Sequence, residues 1–145
     1  MGAGGTAKAI SFILNENSIK TTILNRSKDR LDFFEKAGFE NFSWDNFEIK
    51  KFDIIINTTS AGLKDETFPL NEKQLLKLML KSKYAFDVIY GKSTPFLKLA
   101  KKNSLLSKDG SNMLLHQASI AFNLFYQKKH NLDIIENYMK KSFFL

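Results

Sequence analysis

Short β-branched runs alternate along the chain with longer segments whose apolar residues recur at helical spacing. Residues 6–15 place four apolar side chains on one stripe, which predicts a helix. Residues 19–24 are rich in β-branched side chains, which favours a strand. Residues 53–57 contain three consecutive isoleucines, and a continuous apolar run of this kind is typical of a strand buried on both faces of a parallel sheet.

The remaining segments continue this alternation and predict an α/β fold. Ser27 is a favoured N-cap residue for a helix over 27–36, and Pro95 is accepted at the first position of a helix over 94–102. Further helices are predicted over 71–81, 111–128 and 132–141, and a further strand over 84–90. Strands joined by crossover-length helices predict a Rossmann-like, doubly wound parallel sheet.

A glycine-rich loop, Gly2-Ala3-Gly4-Gly5-Thr6-Ala7, leads into the first predicted helix. Its spacing matches dinucleotide-binding loops, in which small residues permit a tight turn and let backbone N–H groups approach a pyrophosphate. Glycines also mark ordinary turns, so the loop is specific only in context. Because this fingerprint normally follows a strand and only Met1 precedes it, we expect a fragment whose sheet lacks its first strand.

The charge balance is basic, with 22 Lys and Arg against 15 Asp and Glu, a net charge of +7 in 145 residues. Only Arg26 and Arg30 are arginines, and scattered lysines favour a solvated exterior over a nucleic-acid-binding face. The absence of cysteine excludes disulfides and thiolate catalysis, and two distant histidines form no metal-ligand pair. With no apolar run of membrane-spanning length and no signal peptide, we expect a cytoplasmic protein without membrane, nucleic-acid or metal binding.

The end of the second predicted strand favours NADP over NAD. NAD sites usually place a carboxylate there to accept hydrogen bonds from ribose hydroxyls, whereas this chain has Asn25 and Arg26. Arg26 and Arg30 are four residues apart and project from about the same helical face. With Ser27 they can hold a 2′-phosphate, each charge-assisted hydrogen bond contributing about 1.5–3 kcal/mol. The alternative is a solvent-exposed arginine pair beside Asp29.

Five motifs occur in the order found in one enzyme family. They are GAGGTAKA at 2–9, NRS at 25–27, NTTSAG at 57–62, DVIY at 87–90 with TPFL at 94–97, and DGSNMLLHQA at 109–118. In these motifs the chain resembles the shikimate dehydrogenases over nearly its whole length. The resemblance implies that residues 1–145 form the NADP-binding domain, which this family places after its substrate domain. Helices within 111–145 would pack back toward the absent N-terminal domain.

The resemblance also implies roles for individual residues. The pyrophosphate would be cradled by Gly2, Ala3, Gly4, Gly5 and Thr6, and the 2′-phosphate surrounded by Asn25, Arg26, Ser27, Lys28, Asp29 and Arg30. Val88 would contact the nicotinamide side and Gly110 would approach the cofactor, while Tyr90 and Gln117 would touch shikimate. Gln117 interrupts an apolar helical stripe, so we expect a buried amide that bonds either this ligand or a backbone carbonyl.

The family's acid–base pair is a Lys and an Asp of the N-terminal domain, in motifs like NVTxPxK and NTD that this chain lacks. We therefore name no catalytic residue here. In the intact enzyme we expect reversible hydride transfer from NADPH to 3-dehydroshikimate, and in this chain alone we expect no turnover. The alternatives are a quinate/shikimate dehydrogenase and a non-catalytic NADP-binding module of a truncated dehydrogenase. Homodimer formation is left open.

Overall fold

The computed structural model describes residues 1–143, in which helices and short strands alternate as the α/β prediction requires. The helices are α1 (Gly5–Glu16), α2 (Asp32–Lys36), α3 (Glu72–Met79), α4 (Pro95–Lys102), α5 (Ser111–Phe125) and α6 (Leu132–Phe143). The strands are β1 (Thr22–Asn25), β2 (Glu40–Ser43), β3 (Phe52–Asn57), β4 (Ser82–Asp87) and β5 (Leu106–Lys108). Short 3-10 turns lie at Lys28–Arg30 and Trp44–Asn46.

All strand pairs are parallel, but the strands are divided between two sheets. β1 pairs with β2, while the second sheet has the order β3–β4–β5 with β4 at its centre. The α/β class and the parallel strands are therefore confirmed. The buried apolar residues form two clusters: Phe34 is fully buried in one with Ile23 of β1, whereas Leu75, Met79 and Phe96 are fully buried in the other, which also includes Leu24 of β1. Burying each such side chain contributes about 1.5–3 kcal/mol.

Met1 and Gly2 lie between the two sheets and bond to both. The Gly2 N–H donates to the Leu24 carbonyl over 2.8 Å, which joins them to β1. The Met1 amine donates to the Ile56 carbonyl over 2.6 Å, and the Thr58 N–H donates to the Met1 carbonyl over 2.9 Å. This alternation is the pattern of a parallel ladder. Two residues thus connect the sheets as a short strand would.

An apolar cavity of about 100 Å³ lies between β1 and β3, beside this bridge. Its lining includes Ile23 and Leu24 from β1, Ile54 and Ile56 from β3, and Leu14 from α1. Ile54 is 41% exposed, so the prediction that this run is buried on both faces is wrong at that residue. The reason is that its side chain faces the gap between the sheets rather than a packed helix.

The structure also differs from the predictions in the limits of some elements and in having two further strands. The predicted strand over 84–90 ends at Asp87, which leaves Val88–Tyr90 in the loop beyond it. The predicted helix over 27–36 is divided into a 3-10 turn and α2. The sequence patterns did not predict β2 and β5, which are short and carry polar residues. Within residues 1–143, no helix is long and apolar enough to cross a membrane.

Candidate functional site

A cavity of about 640 Å³ opens at the carboxyl ends of β1 and β3. Open α/β sheets bind their ligands at this kind of position, outside the carboxyl ends of the strands. Six residues from the sequence-derived site line it: Gly2, Ala3, Gly4, Asn25, Arg26 and Arg30. The rest of the lining comes from residues 58–61, from Asp65 and residues 67–69, and from Trp44. The cavity therefore joins the glycine loop to the arginine pair.

The turn at Gly2 can be made only without a side chain. Its φ of +101° lies in a region that L side chains rarely adopt. A Cβ built at this position would also lie 2.6 Å from the Thr58 hydroxyl oxygen. The Thr58 hydroxyl itself donates to the Met1 carbonyl over 2.8 Å. Close packing between the glycine turn and the end of β3 therefore fixes this corner of the cavity.

The N-terminus of α1 follows this turn and carries free hydrogen-bond donors. Gly4 is the N-cap residue and no side chain accepts a hydrogen bond there. The ladder of the helix starts where the Lys8 N–H donates to the Gly4 carbonyl over 3.1 Å. The preceding N–H groups, including those of Gly5 and Thr6, have no intrahelical partner. They give this end of the helix a partial positive charge that favours an anion.

Arg26 and Arg30 supply the full positive charges of the cavity. Both are exposed, and both lie where β1 gives way to the following 3-10 turn. Within residues 1–143, neither forms a salt bridge with a carboxylate, Asp29 included. Two guanidinium groups without an acidic partner remain available to an anionic ligand. This observation favours the phosphate-binding interpretation over a self-neutralised surface pair.

The other predicted residues between positions 25 and 30 contribute less to the cavity. The Asn25 side-chain amide donates to the Ser27 carbonyl over 2.9 Å and to its hydroxyl oxygen over 3.4 Å, which orders the strand end. Lys28 and Asp29 are exposed on the 3-10 turn and do not line the cavity. Arg26 and Arg30 therefore contribute more directly to the cavity than the residues between them.

The facing loop and the chain's one tryptophan were not assigned a role from the sequence. Asp65 holds the loop, because its carboxylate accepts the Gly62 N–H over 3.1 Å and the Thr67 hydroxyl over 2.6 Å. The Thr67 hydroxyl, with backbone N–H donors of Thr67 and Gly62, lowers the pKa of Asp65. Trp44 follows β2, and only pairing of that strand with β1 brings it to the cavity. No local sequence signal indicates this proximity.

Asp87 and Asn57 lie at the ends of β4 and β3, and both are fully buried. Burial raises the pKa of Asp87, while hydrogen bonds from Thr94, Ile89 and Asn57 oppose the shift. The Asn57 side chain donates to Asp87 over 3.0 Å, so the two adjacent strand ends are connected through side chains.

Val88 and Gly110, predicted on the cofactor side, are brought together by the fold. A Cβ on Gly110 would collide with the Val88 carbonyl, so the approach of these two backbones requires glycine. The Gly110 N–H donates to the Ile89 carbonyl over 3.1 Å. Asp109 adds a second connection by accepting the Gly91 N–H over 3.2 Å. The start of α5 is thereby held against the loop that follows β4.

Tyr90 and Gln117, the predicted substrate residues, are both exposed. Tyr90 is 53% exposed in the loop beyond β4. Gln117 lies on an exposed face of α5, so the expectation of a buried amide is wrong. The apolar stripe was misleading because α5 packs chiefly against α6, which leaves other apolar residues such as Leu124 exposed as well.

The comparisons with known proteins point in one direction, although no protein-family model matches the chain. It is 49% identical over 139 residues to the shikimate dehydrogenase (NADP(+)) of Helicobacter hepaticus, a match that covers 94% of this chain and 51% of that protein. The chain is related to the shikimate dehydrogenases. It spans about half the length of the curated relatives it matches.

Solved structures of shikimate dehydrogenases share the fold. The enzyme from Thermus thermophilus, in complex with NADP(H) and shikimate, matches with a TM-score of 0.77 and 26% identity over 97% of this chain and 52% of its own. The shikimate dehydrogenase of Aquifex aeolicus matches with a TM-score of 0.77 and 30% identity over 94% of this chain and 50% of its own.

Proposed function

We propose that this chain is the NADP-binding part of a shikimate dehydrogenase, which reversibly reduces 3-dehydroshikimate to shikimate with NADPH. The observation that carries the proposal is one cavity that combines the Gly2 turn, the N-terminus of α1 and two arginines that form no salt bridge within residues 1–143. The names of the relatives favour this activity over the quinate branch and over a non-catalytic module. A cytoplasmic location belongs to the same proposal.

The residues present fit a dinucleotide phosphate. The α1 N-terminus would hold the pyrophosphate, because its free N–H groups and partial positive charge complement an anion. Arg26 and Arg30 would hold the adenosine 2′-phosphate by charge-assisted hydrogen bonds. Asn25 and Ser27 would order that end of the site, with Lys28 and Asp29 at its exposed margin. Val88 and Gly110 would lie on the nicotinamide side.

When bound, the nicotinamide supplies or accepts the hydride. This chain's own residues would orient that ring and shape one edge of the substrate site, where Tyr90 and Gln117 are the proposed shikimate contacts. The acid–base pair would come from an N-terminal domain, toward which helices within 111–143 would pack. Residues 144 and 145, which belong to the same proposed domain, lie outside the described range.

Titration of this chain with NADPH and NADH tests the cofactor assignment. We expect NADPH to bind more tightly than NADH. Binding is measured by the quenching of Trp44 fluorescence, because Trp44 lines the cavity. The double variant Arg26→Ala/Arg30→Ala should lose the preference, whereas Lys101→Ala/Lys102→Ala, which removes the same charge from α4, should keep it. Equal affinities of the unmutated chain for the two cofactors would contradict the proposal.

A further inference from the structure

The carboxylate of Asp87 connects three backbone segments at the carboxyl edge of the larger sheet. Its Oδ1 accepts the Asn57 side-chain amide over 3.0 Å and the Ile89 N–H over 3.1 Å. Its Oδ2 accepts the Thr94 hydroxyl over 2.6 Å. Asp87 is fully buried and is absent from the lining of the 640 Å³ cavity. It therefore acts on its surroundings through these partners and not by touching a ligand there.

The contact with Asn57 continues into the wall of the cavity. The Asn57 Oδ1 accepts both the N–H of Thr59, over 3.0 Å, and its hydroxyl, over 2.7 Å. The Thr59 hydroxyl oxygen accepts the Ala61 N–H over 3.2 Å. An ionised carboxylate only accepts hydrogen bonds, so Asp87 requires the NH₂ group of Asn57 on its side. That orientation leaves the Asn57 oxygen directed at Thr59, as the loop needs.

The other two contacts fix the segment that follows β4. The Ile89 N–H bond holds the backbone between Val88 and Tyr90, both proposed to face cofactor or substrate. The Thr94 hydroxyl oxygen also accepts the Leu97 N–H over 3.3 Å, which makes it the N-cap of α4. One side chain thus sets the relative position of a cavity wall, a strand end and a helix start.

We propose that Asp87 is a positioning residue for the cofactor cavity: it holds the wall at residues 58–61 in its binding conformation through Asn57. Only the expected effect on NADPH binding rests on the proposed function. Its structural consequence, a loop ordered by a buried carboxylate, stands on the hydrogen bonds alone. Preorganised binding groups are typically held by a supporting layer of this kind.

The test compares Asp87→Ala with Asp87→Asn and with Leu75→Ala. The alanine variant leaves buried donors without an acceptor, while the asparagine variant keeps one acceptor oxygen. Leu75→Ala is the stability control, because Leu75 is fully buried in the core at α3 and does not line the cavity. Each variant is examined by amide hydrogen exchange and by calorimetric titration with NADPH, at a temperature where its circular dichroism is native.

We expect exchange at Thr59 and Ala61 to accelerate at least about tenfold in Asp87→Ala, with NADPH affinity reduced by a similar factor. Asp87→Asn should recover part of both effects, and Leu75→Ala should change neither while lowering the melting temperature. Unchanged loop exchange in Asp87→Ala, or an equal change in Leu75→Ala, would overturn the proposal. If Asp87→Ala does not fold, the same comparison is made with Asp87→Asn, whose unchanged exchange and affinity would overturn it.

Absence of NADPH binding by the unmutated chain would instead contradict the proposed function. The exchange measurement would still decide whether Asp87 orders the loop. The two failures are therefore distinguishable.

Discussion

The carboxyl edge of β3 and β4 and the gap between β1 and β3 share a strand but are stabilised in different ways. At the edge, Asn57, Asp87 and Thr94 are fully buried and hydrogen-bonded to one another. In the gap, Met1 and Gly2 make the backbone bonds described above, and an apolar cavity adjoins them. The difference is that buried, hydrogen-bonded side chains join the strands at the edge, whereas backbone hydrogen bonds beside a cavity join them in the gap.

The largest expected effect comes from breaking the close packing at the edge. Gly110→Ala would place a methyl group against the Val88 carbonyl, and the backbone must shift to accommodate it. We expect a loss of about 3 kcal/mol or more in the free energy of unfolding, measured by urea denaturation. Gly5→Ala is the matched control, since a Cβ there meets nothing within 4 Å. Equal stability of the two variants would show that the edge is not closely packed.

A smaller effect should come from the amine in the gap. Desolvation by burial lowers the pKa of the Met1 amine from 8.0 to about 5. Between these values the folded chain binds fewer protons than the unfolded chain, so stability should rise with pH across this window. Urea denaturation of the chain that begins at Met1 should give a free energy of unfolding more than about 1 kcal/mol higher near pH 8 than near pH 5.5.

Acetylation of this amine is the control for that pH dependence. It removes the titrating group but keeps an N–H that can donate to Ile56, so the rise with pH should disappear. Asp87 titrates equally in the free and the acetylated chain, so its contribution cancels when the pH dependences of their stabilities are compared. If the rise in stability with pH persists after acetylation, the Met1 amine is not its cause, which would contradict the prediction.

The smallest effect is expected at an exposed ion pair on the same two strands. Lys83 and Asp53 are 2.8 Å apart on β4 and β3, but both side chains are mostly solvent-exposed. Solvent screens such pairs, so Asp53→Asn should leave the urea midpoint unchanged within error. Asn57→Leu, which replaces a buried residue on the same strand, should clearly lower the urea midpoint. A large loss in Asp53→Asn would mean that surface charge, not the buried polar contacts, joins these strands.

Local signals in the sequence predicted the elements whose ends are defined by the residue types at those ends. α4 begins at Pro95 behind the Thr94 cap and ends at Lys102, as predicted, because a hydroxyl cap and a proline act within one turn. β2 and β5 were missed, because their three or four residues carry no β pattern and depend on pairing with β1 and β4. Such strands form because neighbouring strands supply their hydrogen-bond partners.

The same distinction applies to the candidate site. The sequence by itself determined the glycine turn, the arginine pair and the similarity to shikimate dehydrogenases, since short-range spacing and residue type define them. Only the tertiary structure decided that Trp44 and Asp65 face those residues, that Asp87 supports the wall from behind, and that Gln117 is exposed. Contacts between segments far apart in the chain depend on how the sheets and helices pack, and local periodicity carries no information about them.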